Sequence, residues 1–304
     1  MSSLPPDFGT PPALATEPAL ASDYAYCSDL VRAQDRDRFL AALFAPPAVR
    51  NDLLALYAYN VEIARVREVV REALPGEVRL QWWRELIEGH GRGDVTGHPV
   101  ASALLDTLGR HGLPRGALLN LIEARVFDLY DDPMPSLNDL EGYAGETASA
   151  LLQLSVHILA GGPRPALADA CGHGGVAIAL TGLMRALPVH AARGQCFLPA
   201  DLLARHGSSR DDVVARAPTP GLLATLADLR AHAARHFAAA QQGLADAPRE
   251  LAPAFLTLAL VPGDLRTLAR VRDPFRAVGG LSPLRRQWTL WRAARRAPRG
   301  GSWG

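Results

Sequence analysis

The chain has 304 residues, of which 48% are hydrophobic and 21% charged, and its formal net charge is +1. These proportions exclude a disordered chain and supply no overall field that would gather nucleic acid, so no nucleic-acid partner is expected. Lys is absent and Arg provides every basic side chain other than His, a bias expected of a high-GC bacterial genome.

Residues 1–20 scatter Pro among Ala, Ser and Thr without a period, the pattern of a disordered tail. Helical signals dominate after that, because Ala, Leu and Arg are abundant and the alternating β-branched runs of strands are lacking. The spacing predicts a helix from about Ser22 to Phe44, ended by Pro46-Pro47, and a second from about Ala48 to Leu74, stopped at Pro75-Gly76. Further helices are predicted over 77–90, 99–110, 114–129, 136–160, 166–187, 199–206, 210–216, 219–245, 248–259, 262–270 and 281–297. With no internal repeat and no long linker, a single all-α helical bundle domain over 21–297 is expected, followed by a flexible end at 298–304.

The cysteines, Cys27, Cys171 and Cys196, are odd in number and widely spaced, which fits neither a disulfide framework nor a zinc site and points to a reducing compartment. The N-terminus lacks a basic start followed by an apolar stretch, and no window approaches 18 uninterrupted apolar residues, so no membrane span is expected.

Three segments carry a family resemblance: "RNDLLALYAYNVEIARVREVV" from Arg50, "GGVAIALTGLMRALPVHAARGQCFLPADLL" from Gly174 and "LRAHAARHFAAAQQGLADAPRELAPAFLTLAL" from Leu229. With the intervening "QWWREL", "HPVASAL" and "DLEGYAGETASALLQL", the chain from about Tyr24 to Trp291 resembles the squalene/phytoene synthases. The resemblance implies an isoprenoid-synthase-like helical bundle with a central cavity. It also implies two magnesium-binding motifs, Asp-Asp-x-x-Asp in the first segment and Asn-x-x-Arg-Asp-x-x-Glu-Asp in the second. Such chemistry needs hard oxygen ligands that hold a divalent ion against a leaving diphosphate.

Both motifs are degenerate here. The first falls on Ala64, Arg65, Val66, Arg67 and Glu68, and Arg has no lone pair for a metal. Glu68 and Glu72, four apart, are either a shifted acidic pair or a solvated helix end. In the second, aligned on Arg185, Arg193, Gly194, Leu198 and Pro199, the expected acids become Ala186, Val189 and His190, and the Asn becomes Gly182. Gln195 replaces an Arg and Phe197 a Tyr, and no acid stands between Asp169 and Asp201. No cofactor is therefore expected, with Mg²⁺ required only if the chain is an active prenyltransferase joining two allylic diphosphates head to head.

Within the family the chain is similar to a non-catalytic branch, that of the mitochondrial complex I assembly factors and their bacterial relatives, through Tyr26-Cys27, Tyr59-Asn60-Val61-Glu62 and Tyr143-Ala144-Gly145-Glu146-Thr147. That similarity implies a pseudoenzyme in the cytoplasm or at the inner face of a bacterial inner membrane, with complex I subunits or other assembly factors as partners. Tyr59, Asn60, Glu62, Arg65, Glu68, Arg185, Arg193 and Phe197 are the candidates for a pocket that takes an isoprenoid or anionic lipid, with Arg65 and Arg67 facing the cavity.

Other features are less specific. Leu284, Trp288 and Trp291 share a helical face among Arg285, Arg286, Arg292, Arg295, Arg296 and Arg299, so 281–297 reads either as a peripheral membrane contact or as a helix packed on the bundle. His232 and His236 have a metal-ligand spacing without an evident third ligand. Asp128, Asp131 and Asp132 read as a solvated turn, and Gly172, Gly174 and Gly175 follow no strand and make no phosphate loop.

Overall fold

The computed structural model describes residues 17–70, 72–90, 97–276 and 280–296, and among these it contains helices and no strand. Most of the tail expected over 1–20, the end expected over 298–304 and Arg299 lie outside the described residues. Helix α1 (Glu17–Gln34) begins before the predicted start and is separated from α2 (Arg36–Ala42) by Asp35. The Asp35 carboxylate takes the backbone N–H of Arg38 at 3.2 Å, a capping bond that starts a new helix where one continuous helix was predicted.

Helix α3 (Pro47–Ala64) opens on Pro47, whose fixed φ suits the first helical position. It ends at Arg65, a four-residue turn α4 (Val66–Val69) follows, and the chain is extended at Val70 and Glu72. The predicted helix to Leu74 is therefore cut short, and Pro75 lies in the first turn of α5 (Ala73–Glu88), where a missing N–H costs nothing. α6 (Pro99–His111), α7 (Arg115–Val126), α8 (Leu137–Ala144) and α9 (Ala150–Ala160) come next, the last two joined by a π-helical turn over Gly145–Ser149. α10 (Ala168–Ala192) runs through Pro188, past its predicted end. The remaining helices are α11 (Ala200–Arg205), α12 (Arg210–Val214), α13 (Pro220–Gly243), α14 (Ala252–Phe255), α15 (Val261–Leu268) and α16 (Pro283–Arg296).

α3 is buried almost all round, from Asp52 to Val61 and again at Ile63, which makes it a core helix and not an amphipathic surface one. α10 packs along α13 and against the π-helical turn. A Cβ on Gly175 would lie 2.3 Å from the Ser149 backbone nitrogen, so this close approach requires glycine. Two stretches, Pro165–Ala192 and Arg249–Leu268, are long and apolar enough to cross a membrane, contrary to expectation. In the structure 44% and 72% of their most apolar windows are buried within the bundle.

Buried charge networks tie the helices. Asp52 on α3 is 1% exposed and receives Arg110, Thr107 and Tyr24, with His111 Nε2 at 2.9 Å, so α1, α3 and α6 share one carboxylate. Arg286 on α16 donates to Asp264 at 2.8 and 2.9 Å and to Asp37, while Leu290 and Ala293 turn inward. Arg185 lies 3.6 Å from the same Asp264, so this candidate pocket residue is built into the structural network. Removing one member of a buried ion pair typically costs about 3–5 kcal/mol. Arg286→Met is expected to lower Tm by on the order of 10 °C, measured by circular dichroism, with α16 becoming the first segment to exchange its amide hydrogens.

Candidate functional site

The ends of α3, α4 and α10 bring the two motif regions together. Glu68 on α4 is held between two guanidiniums, Arg65 Nε at 3.1 Å and Arg193 Nη1 at 3.1 Å, the latter from the C-cap of α10. Burial alone would raise the Glu68 carboxyl, but hydrogen bonds from Arg193 and Arg65 outweigh it and hold the group below its ordinary value. Arg67, expected beside Arg65 at the cavity, pairs with Asp131 at 3.3 Å and reaches the Val70 carbonyl. Glu72 is exposed beyond the extended break at Val70, so the helical register that would pair it with Glu68 does not exist.

On α10, Ala186 and Val189 offer no donor atoms. His190 packs against the Phe197 ring with centroids 4.7 Å apart. Burial, then the charge of Arg193, brings the His190 imidazole down to about 4, so it is neutral near pH 7. Phe197 is 8% exposed and meets Phe127 and Tyr143 in an aromatic cluster.

Behind that cluster is a polar group that the sequence did not reveal. Tyr143 donates to Asp128 at 2.9 Å, Arg125 donates to both, and Gln195 Nε2 donates to the Asp128 carbonyl oxygen at 3.1 Å. Asp128 is 7% exposed, which corrects its reading as part of a solvated turn, and burial raises its carboxyl against the pull of Arg125. The charge of Arg125 also acts on Arg38 and Tyr59. Arg38 lies 5.9 Å over the Tyr57 ring and pairs with Asp35. Desolvation opposes the charge on both arginines, and the acidic partners Asp35 and Asp128 outweigh it and hold both guanidiniums above their ordinary value.

Residues 31–292 match the squalene/phytoene synthase family. The chain belongs to that family. Among its relatives, the rat "NADH dehydrogenase (ubiquinone) complex I, assembly factor 6" is 33% identical over 243 residues, 80% of this chain and 72% of the rat protein. A 15-cis-phytoene synthase of Paracoccus is 29% identical over 68% of this chain and 69% of its own length. The crystal structure of a squalene synthase from Alicyclobacillus acidocaldarius superposes with a TM-score of 0.67 at 20% identity, covering 92% of this chain and 96% of that one. The fold is thus that of the squalene synthases.

The squalene/phytoene synthase pattern calls for magnesium, and the residues present here do not fit it. One carboxylate remains, its oxygens are taken by two guanidiniums, and the facing helix supplies an alanine, a valine and a neutral imidazole. The pocket candidates also divide. Glu62 and Arg65 line a cavity of about 340 Å³ with Arg79, Trp82, Trp83 and His98. Tyr59 is fully buried, its hydroxyl donating to the Leu118 carbonyl oxygen at 2.9 Å and its ring edge-on to Trp83, so it is a core residue. Asn60 is buried at 7%.

The His190 environment predicts a pH dependence. Its folded value of about 4 lies below the ordinary 6.5, so the unfolded chain takes up the proton first as pH falls, and stability drops between about pH 6.5 and 4. His190→Leu is expected to remove on the order of 1–3 kcal/mol of that drop, read from urea unfolding at pH 7 and pH 4.5 in both proteins.

Proposed function

We propose that the chain is a non-catalytic member of its family that assists the assembly of respiratory complex I. The clamp of Arg65 and Arg193 on Glu68 carries the reading, because it fills with fixed positive charge the place where diphosphate ionisation needs metal ions and their carboxylates. The similarity to a complex I assembly factor over most of both chains supports the partner: subunits of complex I or other assembly factors. The cavity beside Arg65, with Arg79 and two tryptophans, suits an isoprenoid diphosphate or anionic lipid bound by guanidinium hydrogen bonds without metal.

Deleting the gene and measuring assembled complex I beside cellular squalene and carotenoids tests this. Loss of complex I with unchanged isoprenoids is expected, and the purified protein should bind a farnesyl diphosphate analogue without metal while releasing no pyrophosphate from farnesyl or geranylgeranyl diphosphate with magnesium. Magnesium-dependent turnover abolished by Glu68→Ala would instead establish head-to-head condensation.

The place of work in this reading is the cytoplasmic face of the inner membrane. α16 turns Leu290 and Ala293 inward and leaves Leu284 78%, Trp288 57% and Trp291 40% exposed, among Arg285, Arg292, Arg295 and Arg296 with no acid in the helix. The two indoles stack with centroids 4.9 Å apart. Indoles beside unbalanced cations match the interface of an anionic bilayer. Cosedimentation with phosphatidylglycerol vesicles, weakened severalfold by Trp288→Ala/Trp291→Ala and by raised salt, is expected; equal binding by the variant would remove this surface from the proposal.

A further inference from the structure

Away from the motif region, α8, α10 and α13 bring one carboxylate and three imidazoles together. His232 and His236 are one turn apart on α13 and share a face. Against them α8 places Glu141, whose Oε1 is 2.5 Å from His232 Nε2 and 3.9 Å from His236 Nε2. α10 adds His173, with its Nδ1 3.0 Å from Nδ1 of His236. The two α13 imidazoles are each 13% exposed, so this is a group drawn into the flank of the bundle and not a solvated row. A plain ion pair would use one imidazole; here three converge on one neighbourhood.

The geometry points to a transition-metal site of the zinc class, with His232, His236 and Glu141 as ligands and His173 as the positioning partner of His236. One donor atom from each of the three ligands lies within 4.8 Å of the others. Ligands about 2.0–2.1 Å from a tetrahedral zinc are roughly 3.4 Å apart, so side-chain shifts on the order of 1 Å close the set. Two imidazoles and one carboxylate suit zinc better than magnesium or calcium, and a His pair four apart on a helix completed by a residue from another helix is a recurrent zinc arrangement.

The surrounding groups prepare the ligands. When His236 donates its Nδ1 proton to Nδ1 of His173, its Nε2 lone pair is left facing Glu141, and such a hydrogen bond on the far nitrogen orients metal-bound imidazoles. Arg235, which can only donate, covers Nδ1 of His232 at 2.6 Å; it is exposed and can swing away when metal at Nε2 moves the proton to Nδ1. A groove of about 570 Å³, lined in part by Glu146, Asp169, His173 and His236, gives the ion a way in. His173 and His190 are separated by roughly 25 Å along α10 at the rise of an α-helix, so this site is independent of the degenerate motifs.

Titrating tag-free, metal-stripped full-length protein with zinc chloride by calorimetry tests the site, with cobalt chloride reporting geometry through its visible absorption. One equivalent of zinc with micromolar or tighter affinity is expected, with intense tetrahedral cobalt bands and a raised Tm. Glu141→Gln and His236→Gln should each weaken binding at least about tenfold, and His173→Gln by roughly 10–100-fold, the range seen for outer-shell partners. His190→Gln should leave binding unchanged. Should His236→Gln fail to fold, Glu141→Gln decides, since Glu141 is 34% exposed. No binding by the wild type, or affinity unchanged in Glu141→Gln, overturns the proposal.

Discussion

A carboxylate gripped by two guanidiniums stands where the two motif regions of this chain meet, and it decides what that place can bind. In the synthases that it resembles, two acidic helices are joined through metal ions and substrate; here Arg193 at the end of α10 reaches Glu68 on α4 directly. The two motif regions are crosslinked by the chain's own charges. Because Arg65, Glu68 and Arg193 are each between 37% and 44% exposed, such pairs contribute only about 0–1 kcal/mol apiece. The effect of the clamp is therefore mainly electrostatic: it occupies the last carboxylate and leaves local positive charge where a divalent cation would have to enter.

Stability comes from elsewhere. The Asp52 network joins α1, α3 and α6, and the Arg286 network joins α16 to α2 and α15. The Arg125, Asp128 and Tyr143 group sits under the site and is completed by Gln195, one of the residues by which the chain departs from the synthase pattern. Gln195 thus has a structural partner of its own, and the aromatic wall of Phe127, Tyr143 and Phe197 stands without the hydroxyl that a tyrosine at 197 would bring.

The helices were legible in the sequence because periodicity and Pro/Gly joints mark them, and most of their ranges agree with the structure to within a few residues. The exceptions share a cause: a local signal was read without its position in the helix. Pro75 looked like a stop and is a first-turn residue; Pro188 looked like an end and is carried inside α10, whose flanks are held by packing against α13. Asp35, an N-cap, was hidden in a run of alternating charge. For the site, the loss of acids at Ala186, Val189 and His190 was visible directly, whereas the burial of Asp128 depends on Arg125 and Tyr143, which lie on two other helices. A lone His232 and His236 pair likewise shows nothing of Glu141 from α8.

The exchange of acids at the motif positions has an electrostatic consequence. A metal-dependent active site needs several like charges facing one another, an arrangement that repels itself when the ions are absent. Exchanging all but one of those acids for arginine, alanine, valine and a histidine that stays neutral removes the repulsion, and Arg193 then neutralises the one that is left. α4 and α10 are bridged there by an ion pair within the chain itself. On another face, α16 holds on to the bundle through Arg286 and its buried side, so the exposed indoles are presented from a fixed helix and not from a loose tail. Rigid presentation lowers the entropy lost when such a surface binds, because the side chains are already ordered before contact.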